Sequence, residues 1–197
     1  NDKIILMDYN TKTELLKKLE QEIKTCQKCG LCKTATNAVP GTGNPNSELV
    51  FIGEAPGRNE DEQGIPFVGK AGKLLEFMLS QIGMKREDVW IGNIIKHRPP
   101  ENRDPTPEEI EACKPYLTKQ LEIISPRIVV TLGRFAMNYF LPDVTISHAH
   151  GVAYPFQNML VYPVYHPAAA LRNPKMKLTL MTDFLKIPAI IKGESKT

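Results

Sequence analysis

Three cysteines recur at every third position, Cys26, Cys29 and Cys32, and a fourth, Cys113, lies far along the chain. Thiolates are soft ligands, and this spacing suits a tetrahedral zinc ion or an iron–sulfur cluster; the spacing alone leaves both open. Disulfides are the weaker reading for four cysteines in a chain expected to be intracellular, because the cytosol keeps thiols reduced. Taken alone, Cys113 reads as a core thiol, since it falls on the apolar face of a helical pattern.

A second group of residues could act on a ligand. Gly53-Glu54-Ala55-Pro56-Gly57 sets a carboxylate on a turn where glycine permits close backbone approach and proline removes a donor. It matches neither G-x-G-x-x-G nor the Walker pattern, and alone it reads as a strand-to-helix turn with an exposed Glu. Asn93 stands among apolar residues in Ile91-Gly92-Asn93-Ile94-Ile95, where a buried amide must satisfy donors and acceptor together. It either caps the next loop or reads the adjacent N–H and C=O groups of a base edge. Phe67, between Gly64 and Gly69, is a loop aromatic folded onto the core or a stacking plate for an extruded base. An isolated histidine is more often structural than catalytic. His166, however, opens His166-Pro167-Ala168-Ala169-Ala170-Leu171-Arg172-Asn173-Pro174, in which Leu171 suits a wedge at a base step and Arg172 a phosphate contact.

These residues need elements to position them. Leu49 to Ile52, Val89 to Ile91, Ile128 to Leu132 and Leu160 to Tyr165 read as buried strands. Helical spacing appears in Leu15, Leu16, Leu19 and Ile23, in Leu74 to Ile82, and in Ile110 to Ile124. Thr106-Pro107-Glu108-Glu109 opens the last with a cap, a first-turn proline and early acids. Alternating strands and helices predict an α/β fold, a three-layer α/β/α sandwich with a short, mostly parallel central sheet. Such sheets bind ligands beyond the carboxyl ends of their strands, and the runs end at Gly53-Glu54, Asn93, Gly133-Arg134 and His166. The unusual residues therefore converge on one edge.

A chain of 197 residues, 42% hydrophobic and 24% charged, suits one domain over residues 1–197, with a helix and cysteine segment at 11–37 and a frayed tail at 193–197. No apolar run reaches the roughly 20 residues of a membrane span, and the first residues lack a secretory pattern, so a cytoplasmic location is expected. A net charge of +3 decides nothing about nucleic acid.

Taken in order, the CxxC, GEAPG-x-x-ED, PFVGKAG, GN-x-x-K-x-RPP, distant Cys113 and HPAA-x-LRNP segments resemble the iron–sulfur uracil-DNA glycosylases of family 4. The likeness covers Cys26 to Asn173. It implies removal of uracil from single- or double-stranded DNA, and a pocket of Gly53, Glu54, Ala55, Phe67, Asn93 and His166. Phe67 would stack on the base, Asn93 would read its polar edge, and residues 168–173 would hold the duplex open. It also implies a [4Fe-4S] cluster held by Cys26, Cys29 and Cys113. The family's remaining ligand sits in Lys-Cys-Arg-Pro-Pro, where this chain has Lys96-His97-Arg98-Pro99-Pro100; His97 keeps the position, and the alternatives are Cys32 or a three-cysteine site holding a labile cluster.

Under that resemblance, His166 would donate to the departing uracil and Glu54 would orient water, with Glu60 or Asp61 sharing or replacing Glu54. A monomer is expected, with DNA as partner and a sliding clamp as a further candidate. Two other readings stand beside it: a non-catalytic DNA-binding module with a structural metal, and a zinc protein using Cys26, Cys29, Cys32 and Cys113.

Overall fold

Strand residues alternate between two buried faces, and that alternation sets the layers. The computed structural model describes residues 7–193; the tail beyond Gly193 and the first six residues, on which two of the readings above fall, lie outside it. In chain order the elements are α1 (Tyr9–Lys24), β1 (Thr42–Gly43), β2 (Leu49–Gly53), α2 (Arg58–Gln63), α3 (Lys70–Gln81), β3 (Trp90–Asn93), α4 (Pro107–Ile124), β4 (Ile128–Leu132), α5 (Arg134–Phe140), α6 (Ile146–Ala149), β5 (Tyr154–Phe156), β6 (Met159–Val164), α7 (Pro167–Ala170) and α8 (Pro174–Lys192).

One six-stranded sheet runs in the order β1-β3-β2-β4-β6-β5. Its four central strands are mutually parallel, and β1 and β5 flank them antiparallel. The four central strands are those expected from sequence, with shifts of at most two residues at their ends. The two edges went unread because two or three residues carry too little periodicity to register, and β5 contains Pro155.

Leu49 and Phe51 of β2 face Leu75, Met78 and Leu79 of α3 together with Phe184 and Ile187 of α8. Val50 and Ile52 face the other way, toward Leu16 of α1, Leu117 of α4 and Ala136 of α5. This period-two split places helices on both faces and gives the α/β/α arrangement. Thr106 caps α4 as expected: its hydroxyl accepts from Glu109 N at 3.3 Å, and Glu109 accepts from Thr106 N at 2.9 Å.

The sequence reading passed over α8. Asn173 caps it, Pro174 opens it, and Gly193 closes it at φ 74, while Leu180, Phe184, Ile187 and Ile190 are its buried stripe. Among the described residues no helix is long and apolar enough to cross a membrane.

Candidate active site

Because β3, β2, β4 and β6 are parallel, their carboxyl ends share one edge of the sheet. Gly53 is in register with Asn93, and Gly133 N donates to Val164 O at 2.9 Å, so the four termini lie side by side. Over this edge lies a cavity of about 670 Å³ whose lining includes Glu54, Ala55, Glu60, Phe67, Asn93, His166 and Arg172. Gly53 is the floor. A Cβ built there would come within 2.5 Å of Asn93 Oδ1 and 2.6 Å of the Phe67 ring, so only glycine lets those two groups close over the strand end.

Asn93 is 1% exposed, and its Oδ1 has no hydrogen-bond partner. A buried acceptor left unpaired is costly and uncommon, and this one belongs to a residue that lines the cavity. The residue's carbonyl is pinned from below by Lys96 Nζ at 2.8 Å. Lys96 is wholly buried and also donates to Gln120 Oε1 at 2.7 Å. Lys96 was not singled out from sequence, where an isolated lysine carries no signal of burial.

His166 caps the short α7, its Nδ1 accepting from Ala168 N at 3.1 Å. Burial pushes its pKa down to about 4, with Glu60 acting in the opposite direction, so the ring is neutral near pH 7. With Nδ1 used as an acceptor, the proton resides on Nε2. The Phe67 ring lies 5.8 Å from the imidazole at an interplanar angle of 32°. Phe67 is folded onto the core, as one of its sequence readings had it, and its ring also lines the cavity.

The three carboxylates left unranked by sequence occupy different settings. Glu54 is half-buried at the cavity; burial raises its pKa to about 7, Asp104 adds to the rise, and Arg134 opposes it. Glu60 Oε1 accepts from both Val68 N and Gly69 N at 2.9 Å. Asp61 is 4% exposed and turns away, Oδ1 accepting from Thr36 N at 2.9 Å and Asn37 N at 3.1 Å. Its engagement with the cysteine segment, not the cavity, removes the geometric basis for a water-positioning role.

Of the expected DNA loop, Arg172 reaches the cavity wall, whereas Leu171 is 47% exposed beside it. Sequence reasoning missed the rim pair Arg134–Asp104, 2.9 Å apart. Gly133-Arg134 was visible at a strand end, but Asp104 lies in a proline-rich connection without periodicity.

The cysteines lie just past the carboxyl end of α1 and, for Cys113, in the second turn of α4. Cys26 packs near Leu19, Ile23 and Tyr116, while Cys29 packs into the cluster containing buried Cys113. Burial pushes the Cys113 thiol up, Lys96 opposes this, and the neighbouring Cys29 and Cys26 add to it. Cys26, Cys32 and His97 border a cavity of about 800 Å³. Cys32 Sγ donates to Cys29 O at 3.1 Å. Among the described residues, no three of His, Cys, Asp or Glu are arranged to hold a single metal ion.

A family model of the uracil DNA glycosylase superfamily matches residues 40–187, a span that holds every strand and every residue of the cavity wall. This chain belongs to that superfamily. Within it, the chain is 51% identical over 183 residues to a type-4 uracil-DNA glycosylase of Archaeoglobus fulgidus, covering 88% of this chain and 92% of that protein. It is 48% identical over 182 residues to the type-4 enzyme of Sulfurisphaera tokodaii, covering 87% and 83%. The type-4 enzyme of Thermotoga maritima is 41% identical over 189 residues, covering 93% and 98%. The chain is therefore a type-4 family member as well, as its motifs implied. The superfamily match takes in His97 and Cys113 but begins after Cys26, Cys29 and Cys32.

Proposed function

We propose that this chain excises uracil from DNA, hydrolysing the N-glycosidic bond of a deoxyuridine turned out of the helix. The observation that carries this is the buried, unpartnered Oδ1 of Asn93 beside a neutral imidazole and an aromatic ring. Uracil N3–H would donate to Oδ1, and the amide nitrogen would donate to O4. Cytosine has no hydrogen on N3, so it would leave Oδ1 unpaired, a mismatch that a buried polar site punishes heavily. The glycosidic bond is out of reach within the stack, which requires the nucleotide to leave it.

As the bond between N1 and the sugar breaks, the electron pair passes to uracil and charge gathers on O2. His166 Nε2–H would donate to that oxygen without needing to be an imidazolium. The sugar becomes cationic, and the ionised Glu54 carboxylate would stabilise it and orient the water that adds there, accepting the water's proton. Leu171 would wedge the opened base step and Arg172 would hold a phosphate.

The donor set of soft thiols, Cys29 packed into the cluster that holds Cys113 and Cys26 bordering a cavity with His97, fits an iron–sulfur cluster by its chemistry. Cys26, Cys29 and Cys113 would hold it, with His97 as the remaining ligand. When bound, the cluster supplies folding free energy by tying α1, the loop after β3 and α4 together. Iron and sulfide analysis of His97→Ala tests that ligand, and full retention of iron counts against it.

The decisive assay is a uracil-containing oligonucleotide incubated with the protein, then treated with alkali. Strand scission and free uracil are expected, with His166→Ala slower by about 10²–10³-fold. Binding without release of uracil would leave the chain a DNA-binding module and overturn the proposal.

A further inference from the structure

Phe67 lies at φ 54, in the left-handed region that an aromatic residue rarely adopts. Something must hold it there, and two charges grip the surrounding loop from opposite sides. Glu60 Oε1 takes the amides that follow Phe67, those of Val68 and Gly69, each at 2.9 Å. Arg86 takes the carbonyls: Nη1 donates to Phe67 O at 2.9 Å, and Nη2 donates to Pro66 O. Gly72 closes the third side, since a Cβ there would overlap the Phe67 carbonyl. The Arg86 side chain is only 21% exposed, so this grip is partly shielded from water. With amides and carbonyls both held, the ring has one place to go, over Gly53 and beside His166.

We propose that Glu60 and Arg86 are a pair of positioning residues that clamp the Phe67 loop and thereby set the plate on which the base stacks. Glu60 acts as an acceptor for two backbone amides and not as a second catalytic carboxylate. This rests on the reading of the cavity as a uracil pocket. The charge on Glu60 strengthens its two hydrogen bonds, but an amide oxygen at the same position can accept both.

The test compares Glu60→Gln with Glu60→Ala, and Arg86→Lys with Arg86→Ala, in single-turnover cleavage of uracil DNA. Displacement of a bound group by about 1 Å costs on the order of 10²-fold. The alanine variants should therefore lose about 10–100-fold in kcat/KM, while Gln and Lys recover a substantial part of it. Inhibition by free uracil should weaken in parallel, because the plate serves the product as well. On a Phe67→Ala background, adding either alanine change should alter kcat/KM by less than about twofold, since the clamp has nothing left to position.

Equal damage from Glu60→Gln and Glu60→Ala would assign a catalytic charge to Glu60 and overturn the proposal. So would full persistence of the losses on the Phe67→Ala background. If Glu60→Ala fails to fold, Arg86→Ala with and without Phe67→Ala decides by the same comparison. A wild-type protein that releases no uracil defeats the catalytic reading alone; free-uracil binding to wild type and Arg86→Ala then decides the clamp, weaker binding in the variant supporting it and equal binding overturning it.

Discussion

Burial moves the proton affinities of Glu54 and His166 in opposite directions, up to about 7 for the carboxyl and down to about 4 for the imidazole, because in each case it penalises the charged form. If ionised Glu54 orients water, kcat/KM should rise with pH through a midpoint near 7 and then level, and Glu54→Gln should remove that limb. His166 contributes no step above about pH 5, being neutral throughout. Stability follows the same signs. The lowered His166 pKa gives a contribution that is full above about 6.5 and is lost as pH falls toward 4. The raised Glu54 pKa gives one that is full below 4.5 and is lost as pH rises to about 7. Thermal midpoints of wild type, Glu54→Gln and His166→Ala between pH 4 and 8 check both. Asn93→Asp should narrow the preference for uracil over cytosine, because a protonated carboxyl can donate to cytosine N3; unchanged discrimination in a variant that still cleaves uracil would exclude direct reading by Asn93.

At the scale of elements, caps and loops carry consequences beyond their own stability. The Thr106–Glu109 capping box also presents Glu109 to Arg103, which it binds through both carboxylate oxygens at 2.6 and 2.9 Å, and Arg103 lines the cavity. Thr106→Ala should cost about 1 kcal/mol in denaturant unfolding, the usual value of a lost N-cap. The turn of α7 that follows β6 brings Arg172 to the cavity wall and leaves Leu171 exposed. Arg172→Ala should weaken DNA binding irrespective of sequence and reduce the logarithmic salt slope by about 1, the value for one phosphate contact. Leu171→Ala should slow excision from duplex DNA more than from single strands, which have no stack to wedge. Equal slowing on both substrates counts against the wedge.

Over the whole molecule, the cysteine segment and the cavity are joined by backbone contacts. Asp61, next to Glu60, holds Thr36 and Asn37; Val39 N donates to Lys96 O at 2.7 Å; and Lys96 holds the carbonyl of Asn93. Loss of a metal group from the thiols should therefore loosen both walls of the cavity, although no cysteine lines it. Cys113→Ser is expected to lose iron and to lower the thermal midpoint and the cleavage rate together. A variant free of iron that keeps both would show the two regions to be independent.

What the sequence by itself determined was whatever local pattern encodes. Four apolar runs specified the parallel strands, Thr106-Pro107-Glu108-Glu109 specified a helix start, and the parallel order obliged Glu54, Asn93 and His166 to share an edge, as they do. The short β1 and β5 were beyond it, because two or three residues make no period. Only the tertiary structure gave Glu54, Glu60 and Asp61, which lie within eight positions of one another, their different settings: Glu54 and Glu60 line the cavity, Glu60 also holds the loop at Val68, and Asp61 holds the cysteine segment. It alone buried Lys96 against Gln120 and paired Arg134 with Asp104. The physical reason is that proton affinity and hydrogen-bond partnership depend on what the rest of the chain places within a few ångströms, and sequence spacing does not measure that distance.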